Sequence, residues 1–293
     1  MFKKILIANR GEIAALIGSA LLAFAPVHAA EPTPIQIGMS HSIQSAALHE
    51  ARTVTVVLPP SYAKESQRRY PMLFVIDGGV EQDLLHVAGV AQLGAMWGRN
   101  AEPIVVGIET RDRRRELVGP TADPELLKKY PTAGQSAAFR KFIATEVRQL
   151  IERTYRTNGK AVVIGESLAG LFIVETYMVQ PDLFDGYAAI DPSLWWDKEA
   201  LSRRAAAAIG SKQSGRSLYV AMAREQSEEP AAMQRVVAKA GSASERFCLA
   251  ERPDLTHATI YQQLSPQALQ FLLPPAEAPA PEFGFEVKCS PKS

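Results

Sequence analysis

The chain is poor in the residues that most often form metal centres. Its 293 residues include only two cysteines, Cys248 and Cys289, which lie far apart and form no metal motif. The formal net charge is +1, so there is no electrostatic reason to expect nucleic acid as a partner. In an exported chain an even pair of cysteines permits one disulfide, which would tie the tail to the last strand. The alternative is two free or buried thiols.

The amino terminus lacks an apolar run that could cross a membrane. The stretch Ile13–Pro26 is shorter than the roughly twenty residues that a span requires. It follows three basic residues, and Val27–Ala29 then places small residues where signal peptides are cleaved. We expect residues 1–30 to be a secretory signal. The mature protein would then be periplasmic or secreted, with no stable membrane anchor after cleavage.

Apolar residues make up 47% of the chain, enough at this length for one sizeable core. Short β-rich runs alternate with helical segments, which predicts a mostly parallel sheet covered by helices on both faces. The predicted strands are Arg52–Leu58, Met72–Ile76, Ile104–Ile108, Lys160–Ile164, Tyr187–Ile190, Ser217–Ala223 and Arg246–Ala250. One helix is expected between Gly134 and Tyr155, and another ends in Gln267–Leu273.

This α/β domain is expected to occupy residues 31–273. Residues 274–293 are rich in Pro and Ala and are interpreted as a surface tail. Within the tail, Phe283–Val287 is a candidate edge strand.

The segment Val162–Gly170 carries the clearest chemical signal. A β-branched run ends in Gly-x-Ser-x-Ala-Gly, and an apolar segment suited to a helix follows. This strand–turn–helix context is the one in which a serine becomes a nucleophile, because the turn exposes its hydroxyl beside the helix N-terminus. We therefore expect Ser167 to be the nucleophile, although Ala169 stands where the pattern usually has glycine.

Chain order then selects the general base. In the arrangement of nucleophile, acid and histidine, the histidine comes last. Of the five histidines only His257 follows Ser167, and it lies in a polar loop between the last predicted strand and the last helix. We expect His257 to be the base.

The acid is less well defined by the sequence. Glu225 follows the predicted strand Ser217–Ala223 most closely, and we take it as the expected acid. Glu228 and Glu229 fit better in the first turn of the next helix. Asp254 and Asp191 are further candidates, and a Ser–His pair without a third member also remains open.

Other residues are candidates for holding the substrate. The backbone N–H of Leu168 and one of Gly78 or Gly79 could form the oxyanion hole. Trp195 and Trp196 follow a strand end, so they serve as core packing or as an aromatic wall for a substrate. Arg113 belongs to a basic run that is either a solvated loop or a contact for an anionic substrate.

The chain resembles the esterase D/enterochelin-esterase group of α/β-hydrolases, and within it the exported branch related to siderophore esterases. The resemblance runs from about Ile37 to Leu273. The stretches that carry it are Arg52–Tyr62, Tyr70–Gly78, Val105–Ile108, Tyr155–Thr157, Gly165–Phe172, Pro181–Gly186 and Ser193–Trp196. It implies Ser167 as nucleophile, His257 as base, Glu225 as acid, and no metal or organic cofactor. The chain departs from the group at Glu166, where many members have histidine, and at Ala169.

The expected function is a serine carboxylester hydrolase acting on small-molecule esters, with siderophore esters of the enterobactin type as one candidate substrate. Two alternatives share these residues. One is a catalytically idle hydrolase fold that only binds a ligand, and the other is an acyltransferase that uses the same acyl-enzyme.

Overall fold

The computed structural model describes residues 31, 33–225 and 230–290, so the predicted signal and Glu228 and Glu229 lie outside the described residues. Gly38–Ser293 forms one compact unit, and the described residues before it have no helix or strand. In the described part of the chain, no helix is both long enough and apolar enough to span a bilayer.

One sheet organises this unit. Its strands lie in the order β1-β2-β4-β3-β5-β6-β7-β8. Strand β2 is antiparallel to both of its neighbours, and the other pairs are parallel. The strands are β1 Met39–Ser45, β2 Glu50–Val57, β3 Tyr70–Ile76, β4 Ile104–Ile108, β5 Thr157–Glu166, β6 Gly186–Ile190, β7 Ser217–Met222 and β8 Arg246–Glu251. Parallel strands end at the same edge, so the loops after β3, β5, β6 and β7 meet there.

Helices cover both faces of the sheet. They are α1 Leu84–Met96, α2 Arg113–Leu117, α3 Pro124–Lys129, α4 Ser136–Phe142, α5 Arg148–Thr154, α6 Leu168–Val179, α7 Trp196–Arg203, α8 Ala205–Ala208, α9 Ala231–Ala243 and α10 His257–Leu272. A π-helical turn, Ile143–Val147, joins α4 to α5. The alternating side chains of β3 reach two separate cores. Phe74 packs in the core that α6 contributes to, and Val75 packs in the core formed with α1 and α10.

The expected α/β-hydrolase fold, with a mostly parallel sheet and helices on both faces, is confirmed. Each predicted strand is present, with bounds that differ by up to three residues. Strand β1 was missed because its sequence, MSHSIQS, has few apolar residues and most of it is exposed. The candidate edge strand Phe283–Val287 is wrong, since these residues form no strand.

The tail is instead held to the domain by other contacts. Cys289 forms a disulfide with Cys248 in β8, and the N–H of Ser290 donates to the carbonyl of Leu249 at 2.7 Å. The side chain of Gln270 in α10 both donates to and accepts from the backbone of Phe285, at 2.8 and 3.0 Å. The carboxyl-terminal segment therefore packs along α10 and β8.

Candidate active site

Ser167 lies in the sharp turn between β5 and α6. Its backbone has φ 61° and ψ −120°, a left-handed conformation that is uncommon for a residue other than glycine. The turn depends on small neighbours. A Cβ atom on Gly165 would lie 2.7 Å from the Cβ of Ala169, and one on Gly170 would lie 3.0 Å from the Cα of Pro192. Ala169 therefore fits the turn because residue 165 is a glycine. A side chain at Gly165 or Gly170 would clash with its neighbours.

His257 is the first residue of α10 rather than a residue within the preceding loop. Its Nδ1 atom lies 2.5 Å from Oδ2 of Asp191, which follows β6 and is 2% exposed. The other carboxylate oxygen of Asp191 accepts the backbone N–H of Ala223 at 2.8 Å, so the group is fixed from two sides. The hydrogen bond with Asp191 raises the pKa of His257, and burial opposes this effect.

The structure corrects the choice of Glu225 as the acid. Its carboxylate accepts the backbone N–H of His257 at 3.1 Å, whereas the imidazole ring is paired with Asp191. Asp254 forms an ion pair with Arg252 at 2.6 Å, on a side chain that is 61% exposed. Strand β6 lies directly beside β5, which ends at the nucleophile. A carboxylate at the end of β6 is therefore close enough to the nucleophile to contact the ring of His257.

Ser167 and His257 line one cavity of about 410 Å³. Its lining consists of Ser167, Asp191, Ser193, Trp195, Glu199, Glu225, Ala232 and His257. The hydroxyl oxygens of Ser167 and Ser193 are 3.2 Å apart, and the N–H of Ser193 donates to the carbonyl of Ser167 at 3.0 Å. Sequence reasoning gave Ser193 no role. The sequence signal for such a role was the position of Ser193 in Asp191-Pro192-Ser193. This motif follows β6, the strand next to the one that ends at the nucleophile.

The expected oxyanion hole is only partly supported. Leu168 is the first residue of α6, so its N–H has no acceptor within the helix. The N–H of Gly78 donates to the carbonyl of Ile108 at 2.8 Å, and that of Gly79 donates to Oε1 of Gln82 at 2.9 Å. Both glycine amides thus already have an acceptor, that of Gly78 in β4 and that of Gly79 in its own loop, which corrects their expected role. Gly78 is needed there because an added Cβ would lie 2.6 Å from the backbone of β4.

The two tryptophans have different environments. Trp195 is 62% exposed and lines the cavity beside Ser167. Trp196 is 5% exposed and packs against Tyr130, with 5.7 Å between ring centroids, so it belongs to the core. Arg113 donates to Asp77 at 2.9 Å and does not line this cavity. The expected substrate contacts at Trp196 and Arg113 are therefore corrected, and Trp195 is the candidate that lines the nucleophile's cavity.

Two carboxyl groups near the nucleophile have raised pKa values. Burial raises the pKa of Glu166 to about 7, with Asp83 and Asp191 adding to the shift and His257 opposing it. Burial and the charge of Asp77 raise the pKa of Asp83 to about 6. Among the described residues, no three His, Cys, Asp or Glu side chains are arranged to hold a metal ion.

Comparison with known proteins shows the family to which the chain belongs. The family described as "Putative esterase" matches residues 45–264. Ferri-bacillibactin esterase BesA of Bacillus subtilis is 25% identical over 173 residues, which are 53% of this chain and 59% of that protein. A siderophore enterobactin esterase of Emericella nidulans is 31% identical over 85 residues, 28% of each chain. The matched regions therefore span less than two thirds of these relatives.

Among solved structures, an IroE-like serine hydrolase from Shewanella oneidensis superposes with a TM-score of 0.69 at 25% identity. The superposition covers 80% of this chain and 79% of that one. The resemblance to siderophore esterases predicted from the sequence is confirmed by these matches.

Proposed function

Because this chain belongs to the Esterase family, we propose that it hydrolyses carboxylic esters of small molecules through Ser167, His257 and Asp191. This family is one of esterases, which is the enzyme class expected from the sequence. The observation that carries the three residue roles is the 2.5 Å contact between Asp191 and His257, in a cavity that Ser167 also lines.

The reaction follows from the chemistry of these groups. The Nε2 atom of His257 accepts the proton of Ser167 while the serine oxygen forms a bond to the ester carbonyl carbon. The N–H of Leu168 stabilises the negative charge on the carbonyl oxygen. As the carbon–oxygen bond to the alcohol breaks, His257 returns the proton to the leaving alkoxide. Water then attacks the acyl-enzyme by the same route and releases the acid. Asp191 holds the ring and stabilises its charged form.

A second, finer proposal is that the ester belongs to a siderophore. Its support is that BesA and the Emericella protein are named as esterases of ferri-bacillibactin and enterobactin. The alternative of a binding protein without activity is disfavoured by a serine in an elbow turn that shares a cavity with a histidine–aspartate pair. Acyl transfer uses the same acyl-enzyme, and product analysis with a competing alcohol distinguishes it from hydrolysis.

Covalent labelling tests the proposed nucleophile. The full chain and its Ser167→Ala and His257→Ala variants are treated with a fluorophosphonate and measured by intact mass. We expect one adduct on the wild type and none on the variants, followed by turnover in a panel of esters that includes enterobactin with and without iron. A folded wild type that gains no adduct would contradict the proposed function.

A further inference from the structure

The wall of the catalytic cavity is acidic. Among its lining residues, three carry carboxylates: Asp191, Glu199 and Glu225. Within the described part of the chain, that lining contains no lysine or arginine. A ligand that enters this cavity therefore meets negative charge close to the nucleophile.

Two of the three carboxylates have a side-chain partner. Asp191 is paired with His257, and Glu199 forms an ion pair with Arg235 of α9. Glu225 has no ion-pair partner among the described residues, and its carboxylate accepts the backbone N–H of His257. Its side chain is exposed, so its charge is available to a ligand. Of the three, Glu225 is thus the carboxylate that has no ion-pair partner in the part of the chain that the structure describes.

An aromatic surface lines the same cavity. Trp195 is 62% exposed and lines the cavity together with Glu199 and Glu225. A cation over an indole ring is attracted by the negative face of the ring, and more strongly when water is excluded. A carboxylate and a tryptophan that line one cavity are both suited to a positively charged group.

The position of Glu225 indicates which part of the ester it would meet. His257 returns a proton to the departing alcohol, so the alcohol part must lie near the imidazole. Glu225 is bonded to the backbone of that same residue at 3.1 Å. A charge on the alcohol is therefore closer to Glu225 than a charge at the far end of the acyl chain.

We propose that the enzyme selects esters whose alcohol part carries a quaternary or protonated ammonium group, with Glu225 as the residue that determines this preference and Trp195 as the aromatic contact. This inference rests on the proposed ester hydrolysis. It also predicts a lower kcat/KM for anionic substrates. A ferric tris-catecholate is an anion, so the acidic wall disfavours an iron-loaded catechol siderophore relative to its iron-free form.

A pair of thioesters that differ only in charge tests the proposal. Butyrylthiocholine and S-(3,3-dimethylbutyl) thiobutyrate have nearly the same shape, and hydrolysis of either releases a thiol that a disulfide reagent detects. Among the described residues both cysteines are paired, so the protein adds no background. We expect kcat/KM for the cationic probe to be higher by roughly 3- to 30-fold in the wild type at low salt.

The Glu225→Gln variant identifies the source of the preference. Both probes use the same catalytic groups, so any general loss of activity cancels in their ratio. We expect that ratio to fall at least about threefold in Glu225→Gln, and added salt to lower it in the wild type but not in the variant. The matched control is Glu152→Gln, which removes an exposed charge from α5 outside the cavity lining and should leave the ratio unchanged.

The outcomes separate this inference from the proposed function. Turnover of both thioesters at similar rates, or a ratio that Glu225→Gln leaves unchanged, would overturn the inference while ester hydrolysis stands. If neither thioester turns over, protection from fluorophosphonate labelling by choline is compared with protection by 3,3-dimethylbutan-1-ol. Stronger protection by choline supports the inference, and equal protection overturns it. Absence of labelling as well would overturn the inference together with the proposed function.

Discussion

At the scale of single residues, the acid that contacts His257 determines how the base behaves with pH. Two carboxylates bind this residue, Asp191 at the ring and Glu225 at the backbone N–H. Only the first can fix the ring nitrogen that carries the proton and stabilise the imidazolium formed during the reaction. The sequence offered carboxylates after both β6 and β7, and the choice between them depends on loop geometry that the residue pattern does not encode.

The Asp191→Asn variant should lose most of its activity. Asparagine keeps the size of the side chain but removes the charge that stabilises the imidazolium, so we expect kcat to fall by about 10²–10⁴-fold. The pKa of His257 should also fall towards its ordinary value, because Asp191 is the largest cause of its increase. Since the neutral ring is the active base, the acid limb of kcat/KM should move to lower pH. A pH–rate profile that matches the wild type would contradict the assignment.

Glu166 should make the protein less stable above neutral pH. Its pKa is raised from 4.5 to about 7 in the folded state, so the folded protein holds the proton more tightly than the unfolded chain. Its contribution to stability is therefore present below about pH 4.5 and is lost as the pH rises through 7. We expect Glu166→Gln to raise the Tm at pH 8 by about 2–4 °C and to have little effect at pH 4.5. Equal shifts at both pH values would show that the charge is not the cause.

Ser193 should assist the nucleophile without being essential. Its hydroxyl is 3.2 Å from that of Ser167, and its own side chain is almost fully buried. Removing one neutral hydrogen bond changes a free energy by about 0.5–1.5 kcal/mol, so we expect Ser193→Ala to lower kcat/KM by roughly 3- to 10-fold. Ser193→Thr keeps a hydroxyl and should recover part of the loss. Steady-state kinetics on a neutral ester measures both, and no loss in Ser193→Ala would refute the role.

At the scale of elements, strands and helices were predictable wherever the apolar pattern was strong. Each residue of β3 and β4 is buried, and both strands were predicted from continuous apolar runs. The helix expected between Gly134 and Tyr155 is present. Its π-helical turn at Ile143–Val147 was not predicted, because one extra residue in a turn barely changes the apolar spacing. Strand β1 lacks an apolar pattern and forms by pairing with β2.

A buried ion pair joins β2 to α2 and should contribute strongly to stability. The two terminal guanidinium nitrogens of Arg52 each donate to Glu116 at 2.8 Å, and the two side chains are 0% and 1% exposed. Replacing Glu116 by Gln removes one of the two carboxylates that pair with Arg52, the other being Glu50 at 2.7 Å, so we expect the unfolding free energy to fall by about 1.5–3 kcal/mol in urea titrations. Glu65→Gln breaks an exposed pair with Arg68 and should cost about 0–1 kcal/mol. Similar losses in the two variants would contradict this reading.

At the scale of the whole molecule, the carboxyl-terminal tail is attached to the domain by a disulfide and by hydrogen bonds to Gln270. The sequence indicated only the disulfide, as one of two alternatives. The disulfide between Cys248 and Cys289 closes a separation of 41 residues. We expect Cys289→Ser, or reduction of the wild type, to lower the unfolding free energy by about 2–4 kcal/mol. Activity at 25 °C should persist, because none of the tail residues that the structure describes lines the catalytic cavity. A reductant that leaves the stability of the wild type unchanged would show that the bond does not form in solution.

The use of a carboxylate after β6 has a consequence for how this protein could diversify. In the connection between β7 and α9, the described residue Glu225 lines the cavity and contacts the backbone of His257 rather than its ring. Insertions and exchanges in this segment could alter which alcohol is accepted without removing the catalytic carboxylate. The chain is therefore a suitable parent for directed evolution of ester selectivity, with libraries confined to one short connection and retention of the reactive serine as the selection filter.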